Sequence, residues 1–224
     1  MNLRLTADAI RTKLQPIHPI DEETVDRFVV WTDTLNTWSR AQRLVGWRTS
    51  GELLNKGLVD VWLARSVLVG ASFDTLVDVG SGSGLPGLLF AADMPEMRVH
   101  LVESRRKRAA FLREAARAMG LDRVQVHHGR AADVRGTLDP DRDPDRDPDR
   151  DPDRLLFVSR AFAAPSESLA EAAQWGACLA LVSTSLARAN ADECWPPAGW
   201  RQVHGNFRRE TGVDLHELLE PTTS

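Results

Sequence analysis

Leu76-Val-Asp-Val-Gly-Ser-Gly-Ser-Gly-Leu-Pro-Gly87 is the stretch that decides the fold of this chain. Leu76 to Val79 is a short apolar run ending in a turn that carries Gly80, Gly82, Gly84 and Gly87. A second apolar run (Val99, Leu101, Val102) ends on Glu103, about 20 residues past that turn. A strand, a glycine-rich loop, a helix and then a strand tipped with an acid are how an α/β fold holds a nucleoside. The glycines let backbone approach the ligand where a Cβ would collide, and the acid accepts hydrogen bonds from ribose hydroxyls.

The spacing also speaks to the kind of nucleoside. A dinucleotide loop reads G-x-G-x-x-G and sets a pyrophosphate on a helix N-terminus. Here the order is G-x-G-x-G-x-x-G, and Asp78 stands two residues before the first glycine. An acid at that strand end repels a pyrophosphate and suits a cationic or zwitterionic ligand. S-adenosylmethionine, with its sulfonium, ammonium and carboxylate, is such a ligand. A dinucleotide, or a glycine turn with no ligand, stays open on these residues alone.

Working outward, 224 residues suffice for one α/β domain with a small appendage. The apolar content of 42% is that of a soluble globular protein, and no run approaches a membrane span. Met1 to Arg11 lacks the apolar centre of a secretory signal, so a cytoplasmic location is expected. Cys178 and Cys194 stand alone, which fits a reducing compartment and predicts neither disulfide nor metal. His127 and His128 are adjacent on a predicted strand and point to opposite faces. The formal charge of −4 comes wholly from four tandem Asp-Pro-Asp-Arg units at 139–154, and the rest of the chain is neutral. Proline at every fourth residue excludes a regular helix there, so the repeat reads as an extended, solvated loop.

Residues 1–70 read as helical, with helices expected over Ala7–Leu14, Thr24–Ser39 and Ser50–Val69. From residue 71 to 224 strand and helix alternate: strands at Thr75–Val79, Arg98–Glu103, Arg123–His128, Leu155–Ser159 and Cys178–Ser183. Helices fall between them at Leu85–Ala92, Lys107–Met119, Ala131–Arg135 and Glu167–Trp175. Trp200–Arg208 and Val213–Leu219 supply a final antiparallel pair. The order predicts an α/β, Rossmann-like fold: a mostly parallel sheet, helices on both faces, and a helical N-terminal region.

With these segments in view, the chain resembles the bacterial GidB (RsmG) family, whose members methylate N7 of a guanine in small-subunit ribosomal RNA. The resemblance rests on Asp78-Val-Gly-Ser-Gly-Ser-Gly-Leu-Pro-Gly87 and on Leu101-Val-Glu-Ser-Arg-Arg-Lys-Arg-Ala-Ala-Phe-Leu-Arg113. Gly129-Arg-Ala-Ala-Asp133 and Ser159-Arg-Ala-Phe-Ala163 complete it. It implies a cofactor, S-adenosylmethionine, lined by Gly80 and Leu85 and flanked at its adenine by Ala131 and Ala132. It implies 16S rRNA or the small subunit as partner, without membrane or metal. It places Arg160 at the shared mouth of cofactor and substrate. Outside the cofactor loop the chain departs from the family pattern: Arg43-Leu-Val-Gly46 replaces Asn-Leu-Thr, and Asn55-Lys56 replaces Arg-His. Asp60-Val61 and Ser183-Thr-Ser185 stand where Asp-Ser and Lys-Gly are usual.

The candidate cofactor residues are therefore Asp78, Gly80, Gly82, Gly84, Leu85, Glu103, Ala131, Ala132 and Arg160. Arg160 also orients the substrate through a phosphate or a base edge; the alternative is an ion pair with an acid at the strand end. Guanine N7 has a lone pair and no proton, so neither a triad nor a metal is expected. Arg106, Lys107, Arg113 and Arg117 form a basic helical face suited to rRNA phosphates, or a merely solvated one. Trp31, Trp38 and Trp62 read as core, and Trp47, in a loop, as the better candidate for stacking on a base. Two alternatives remain: a methyltransferase of this fold acting on a small molecule, and a non-catalytic RNA-binding relative.

Overall fold

The computed structural model describes residues 2–137, 154–160, 164–185, 200–208 and 214–222. Four N-terminal helical segments come first: α1 (Ala7–Leu14), α2 (Glu22–Trp38), α3 (Ser50–Leu53) and α4 (Val59–Val67). Then β1 (Thr75–Val79), α5 (Gly87–Asp93), β2 (Arg98–Glu103), α6 (Arg106–Ala118), β3 (Val124–His128) and α7 (Ala131–Arg135) alternate. After them come β4 (Leu155–Arg160), α8 (Pro165–Gln174), β5 (Leu179–Ser185), β6 (Trp200–Arg208) and β7 (Asp214–Pro221). Apart from Arg154, the Asp-Pro-Asp-Arg repeat lies outside the described residues, as do residues 161–163.

The strands form one sheet in the order β3-β2-β1-β4-β5-β7-β6. β3 through β5 run parallel, while β7 pairs antiparallel with β5 and with β6. Both sheet faces are covered, as parallel sheets require. Leu76, Leu101, Leu156, Val158 and Leu181 point into a core shared with α2, α4, α5 and α6. Val77, Val79, Val102, Phe157 and Ala180 point the other way, onto Val134 of α7 and Leu169 and Ala172 of α8. The N-terminal helices thus share one core with the sheet: Phe28, Trp31 and Trp62 are fully buried there.

Asp21 caps α2 by accepting from the Thr24 N–H at 2.7 Å, so the helix opens at Glu22, two residues before the sequence expectation. The helix expected over Ser50–Val69 is instead interrupted by a π-turn, Leu54–Leu58. The break lies where Gly57 is packed by Trp47, whose ring would be 3.0 Å from a Cβ there. The helix expected from Leu85 begins at Gly87, because the loop before it is held by other bonds. His127 meets His100 of β2 across the strands at 3.1 Å. No helix among the described residues is long and apolar enough to cross a membrane.

Candidate active site at the strand C-termini

β1 is the switch point of the sheet: the chain runs outward through β2 and β3, then returns to lay β4 on β1's other side. Ligands of open α/β sheets bind in the crevice beyond the strand C-termini at such a point. The 80–87 loop, Glu103 and Arg160 all leave the sheet at this edge.

Backbone bonds shape the loop. Gly80 and Ser81 donate their N–H groups to the Val102 carbonyl at 2.9 and 3.2 Å, and Gly84 N–H reaches Ser81 O at 2.7 Å. Gly80 and Gly84 have φ of +79° and +87°, a region that L-residues with a Cβ avoid. A Cβ on Gly84 would also run into Leu88. Asp78 is 1% exposed and lies under the loop, where its Oδ2 accepts from Gly87 N–H at 3.0 Å. Burial pushes its carboxyl up to about 7; the Gly87 bond and Arg160 oppose the rise, and the Glu103 charge adds to it.

Glu103 is 4% exposed, and its two oxygens accept from Gly82 N–H at 3.0 Å and Arg105 N–H at 2.8 Å. A carboxylate offers about four acceptor positions, so capacity for hydroxyl donors remains. Gly80 is exposed, Leu85 is buried, and Ala131 and Ala132 open α7 after Arg130; the N–H of Gly129, just before it, donates to the Glu103 carbonyl at 3.2 Å. A bare glycine backbone and an acid at the next strand tip supply donors and acceptors that fit an adenosyl ligand.

A residue read from the sequence only as core supports this loop. Trp31 is fully buried, and its indole N–H donates to the Ser83 carbonyl at 3.0 Å. Trp31→Phe removes that bond and, the ring being smaller, leaves a small cavity in the core. The expected result is a cofactor affinity lowered about fivefold, or about 1 kcal/mol, with a lower melting temperature from the cavity. Calorimetric titration with S-adenosylmethionine checks it; an unchanged affinity would remove Trp31 from the loop's support.

Arg160 faces a second cluster. Its Nε donates to Asp60 Oδ2 at 2.9 Å, its Nη2 lies 2.9 Å from the same oxygen, and Nη2 also reaches the Lys56 carbonyl at 2.9 Å. Asp60 is 1% exposed, and the guanidinium carbon stands 5.6 Å from the centre of the Trp47 ring. The acid that holds Arg160 therefore comes from α4 in the N-terminal region. Asn55 to Asp60, where the sequence leaves the family pattern, is the segment that grips it.

The basic face of α6 divides. Arg113 spends a donor on the Val126 carbonyl at 3.1 Å, and Arg117 closes onto Glu114 at 2.7 Å. Arg106 and Lys107 are exposed at the start of α6.

The fold and the edge site together define a Rossmann-like methyltransferase architecture. An O-methyltransferase from Bacillus cereus, solved in complex with SAH, superposes with a TM-score of 0.59 at 14% identity, covering 97% of this chain and 100% of that one. Residues 24–180 match the family model described as rRNA small subunit methyltransferase G, and the chain belongs to that family, GidB. A ribosomal RNA small subunit methyltransferase G from Colwellia psychrerythraea is 30% identical over 203 residues, 90% of this chain and 85% of that one. The protein of the same name from Neisseria gonorrhoeae is 34% identical over 126 residues, 55% of this chain. That match spans 60% of the relative's length.

Proposed function

We propose that this chain transfers the methyl group of S-adenosylmethionine to N7 of a guanine in 16S rRNA, acting in the cytoplasm on the RNA or the small subunit. The observation that carries the reading is the family match over residues 24–180, a span that includes the loop, Glu103 and Arg160. When bound, the cofactor supplies a methyl group on a cationic sulfur. Gly80, Glu103, Ala131 and Ala132 are the residues that hold it, with Asp78 and Gly87 fixing the loop from beneath. The guanine N7 lone pair carries no proton, so no side chain has to remove one. What the protein must do is align the base and exclude water. Arg160, locked by Asp60 and the Lys56 carbonyl, is the substrate-orienting group, with Trp47 beside it.

The test is transfer of labelled methyl from S-adenosylmethionine to small subunits from cells lacking the modification, with cleavage at the methylated guanine to locate it. Cofactor binding without transfer to RNA would overturn the substrate assignment. In the same assay Asp60→Asn is expected to lower kcat about tenfold, since the neutral amide holds the guanidinium less firmly. Its affinity for S-adenosylmethionine changes by less than about twofold, because Asp60 grips Arg160 and not the loop. A kcat equal to the parent's would show that Arg160 needs no such anchor.

A further inference from the structure

Between α2 and α3, residues 39–48 line an open hollow of about 330 Å³ that the cofactor site does not use. Ser39, Arg40, Gln42, Arg43, Trp47 and Arg48 line it. The guanidinium groups of the three arginines have no carboxylate within ion-pair distance among the described residues, while the Arg48 main-chain N–H holds the Glu52 carboxylate at 3.0 Å. Elsewhere in the N-terminal region the pattern is different: Arg4 pairs with Asp33, Arg11 with Glu22, Arg27 with Glu23 and Arg65 with Asp93. Ser39 lines the hollow with them. It is 9% exposed, and its Oγ is buried with no hydrogen-bond partner among the described residues. A buried hydroxyl without a partner is rare in folded proteins and calls for a ligand or water.

The hollow adjoins the candidate active site on two sides. Gln42 Nε2 donates to the Lys107 carbonyl at 3.3 Å, which ties the loop to the start of α6. Trp47 is shared: it lines the hollow and also faces Arg160. The end of α2 opposes an anion with about half a negative charge, but three guanidinium groups outweigh it.

We propose that this hollow is a subsite for the nucleotide next to the target guanine. The phosphates flanking that nucleotide lie on Arg40, Arg43 and Arg48, the Ser39 hydroxyl donates to a phosphate oxygen, and the base packs on Trp47. The inference rests on the reading of the chain as an rRNA methyltransferase and names where the RNA strand runs. Arginine donors on phosphate beside an aromatic ring are the means by which unpaired RNA is held.

The experiment compares the parent, the triple variant Arg40→Ala/Arg43→Ala/Arg48→Ala, and a control that removes charge elsewhere, Arg4→Ala/Arg11→Ala. Two readouts are taken: KM and kcat for unmodified small subunits, and the salt dependence of binding to a short unstructured RNA. The triple variant is expected to bind S-adenosylmethionine like the parent, to raise KM tenfold or more with little effect on kcat, and to flatten the log–log salt slope by at least about 0.7, the share of one single-strand phosphate. An unchanged KM and slope would overturn the subsite, and so would an equal loss in the control, which would mean unspecific charge. If the triple variant loses cofactor affinity, Arg43→Gln and Ser39→Ala decide instead. Ser39→Ala is expected to raise the melting temperature of the free protein while weakening RNA binding; RNA affinity unchanged in both variants would overturn the subsite. Failure of the underlying reading looks different, since the parent would then transfer no methyl group to RNA, and the RNA-binding readout would still judge the hollow.

Discussion

Asp78→Asn will abolish a fall in stability that the parent shows between about pH 4 and pH 7. The Asp78 carboxyl rises from 3.8 to about 7 on folding, chiefly because burial penalises its charge. The folded state therefore keeps a proton that the unfolded chain releases. The contribution is fully present below the unfolded value and is lost as the pH climbs through the folded one. A rise of about three units at about 1.4 kcal/mol each sets the scale at about 4 kcal/mol. Asparagine keeps an oxygen for the Gly87 N–H and has no proton to lose. Urea melts across this range will show the parent weakening with pH and the variant gaining on it, most above about pH 8. Ligand binding adds a second signature. A cationic ligand above the loop favours ionised Asp78, so the parent's affinity for S-adenosylmethionine rises as the pH passes about 7, and the variant's does not. Parallel stability curves for the two proteins would show that Asp78 is ionised throughout.

The parts of this architecture that sequence reveals are those whose causes are local. β1 and β2 occupy the spans expected from their apolar runs, because a glycine turn or an acid ends each one. The glycines and Glu103 sit within one strand–loop–helix–strand unit, so their common edge follows from the order of elements alone. Where a distant group decides, the sequence is silent. The Asp78 carboxylate holds Gly87 N–H and delays the start of α5, nine residues on. The π-turn at Leu54–Leu58 has the same apolar spacing as an uninterrupted helix, and only Trp47 against Gly57 distinguishes it. Arg160 and Asp60 are 100 residues apart, and Trp31 and Ser83 are 52 apart. Trp31 reads as core because it is core, and hydropathy carries no sign of where its one N–H points. Arg113 and Arg117 fall on one face by helical spacing, yet the Val126 carbonyl and Glu114 take up donors on each.

Glu103→Ala carries the largest effect expected on cofactor binding. Its side chain does two things at once. It closes the loop by accepting from Gly82 N–H at 3.0 Å and Arg105 N–H at 2.8 Å. In the proposed function its remaining acceptor positions take the ribose hydroxyls. Hydrogen bonds to a charged acceptor contribute about 1.5–3 kcal/mol each, and the loss of two or more of them lowers S-adenosylmethionine affinity by about 100-fold or more. The two backbone bonds exist in the free protein as well, so the melting temperature falls too, and affinity is read below the variant's melting range. Glu103→Gln separates the two roles. The amide oxygen still accepts from one backbone donor, so the loop is partly kept, while the charge and one acceptor are gone; a loss of about tenfold is expected. Calorimetric titration of the three proteins reads the order alanine, glutamine, glutamate from weakest to tightest. Alanine binding within threefold of the parent would mean that the carboxylate serves only its two backbone neighbours and that the nucleoside is held elsewhere.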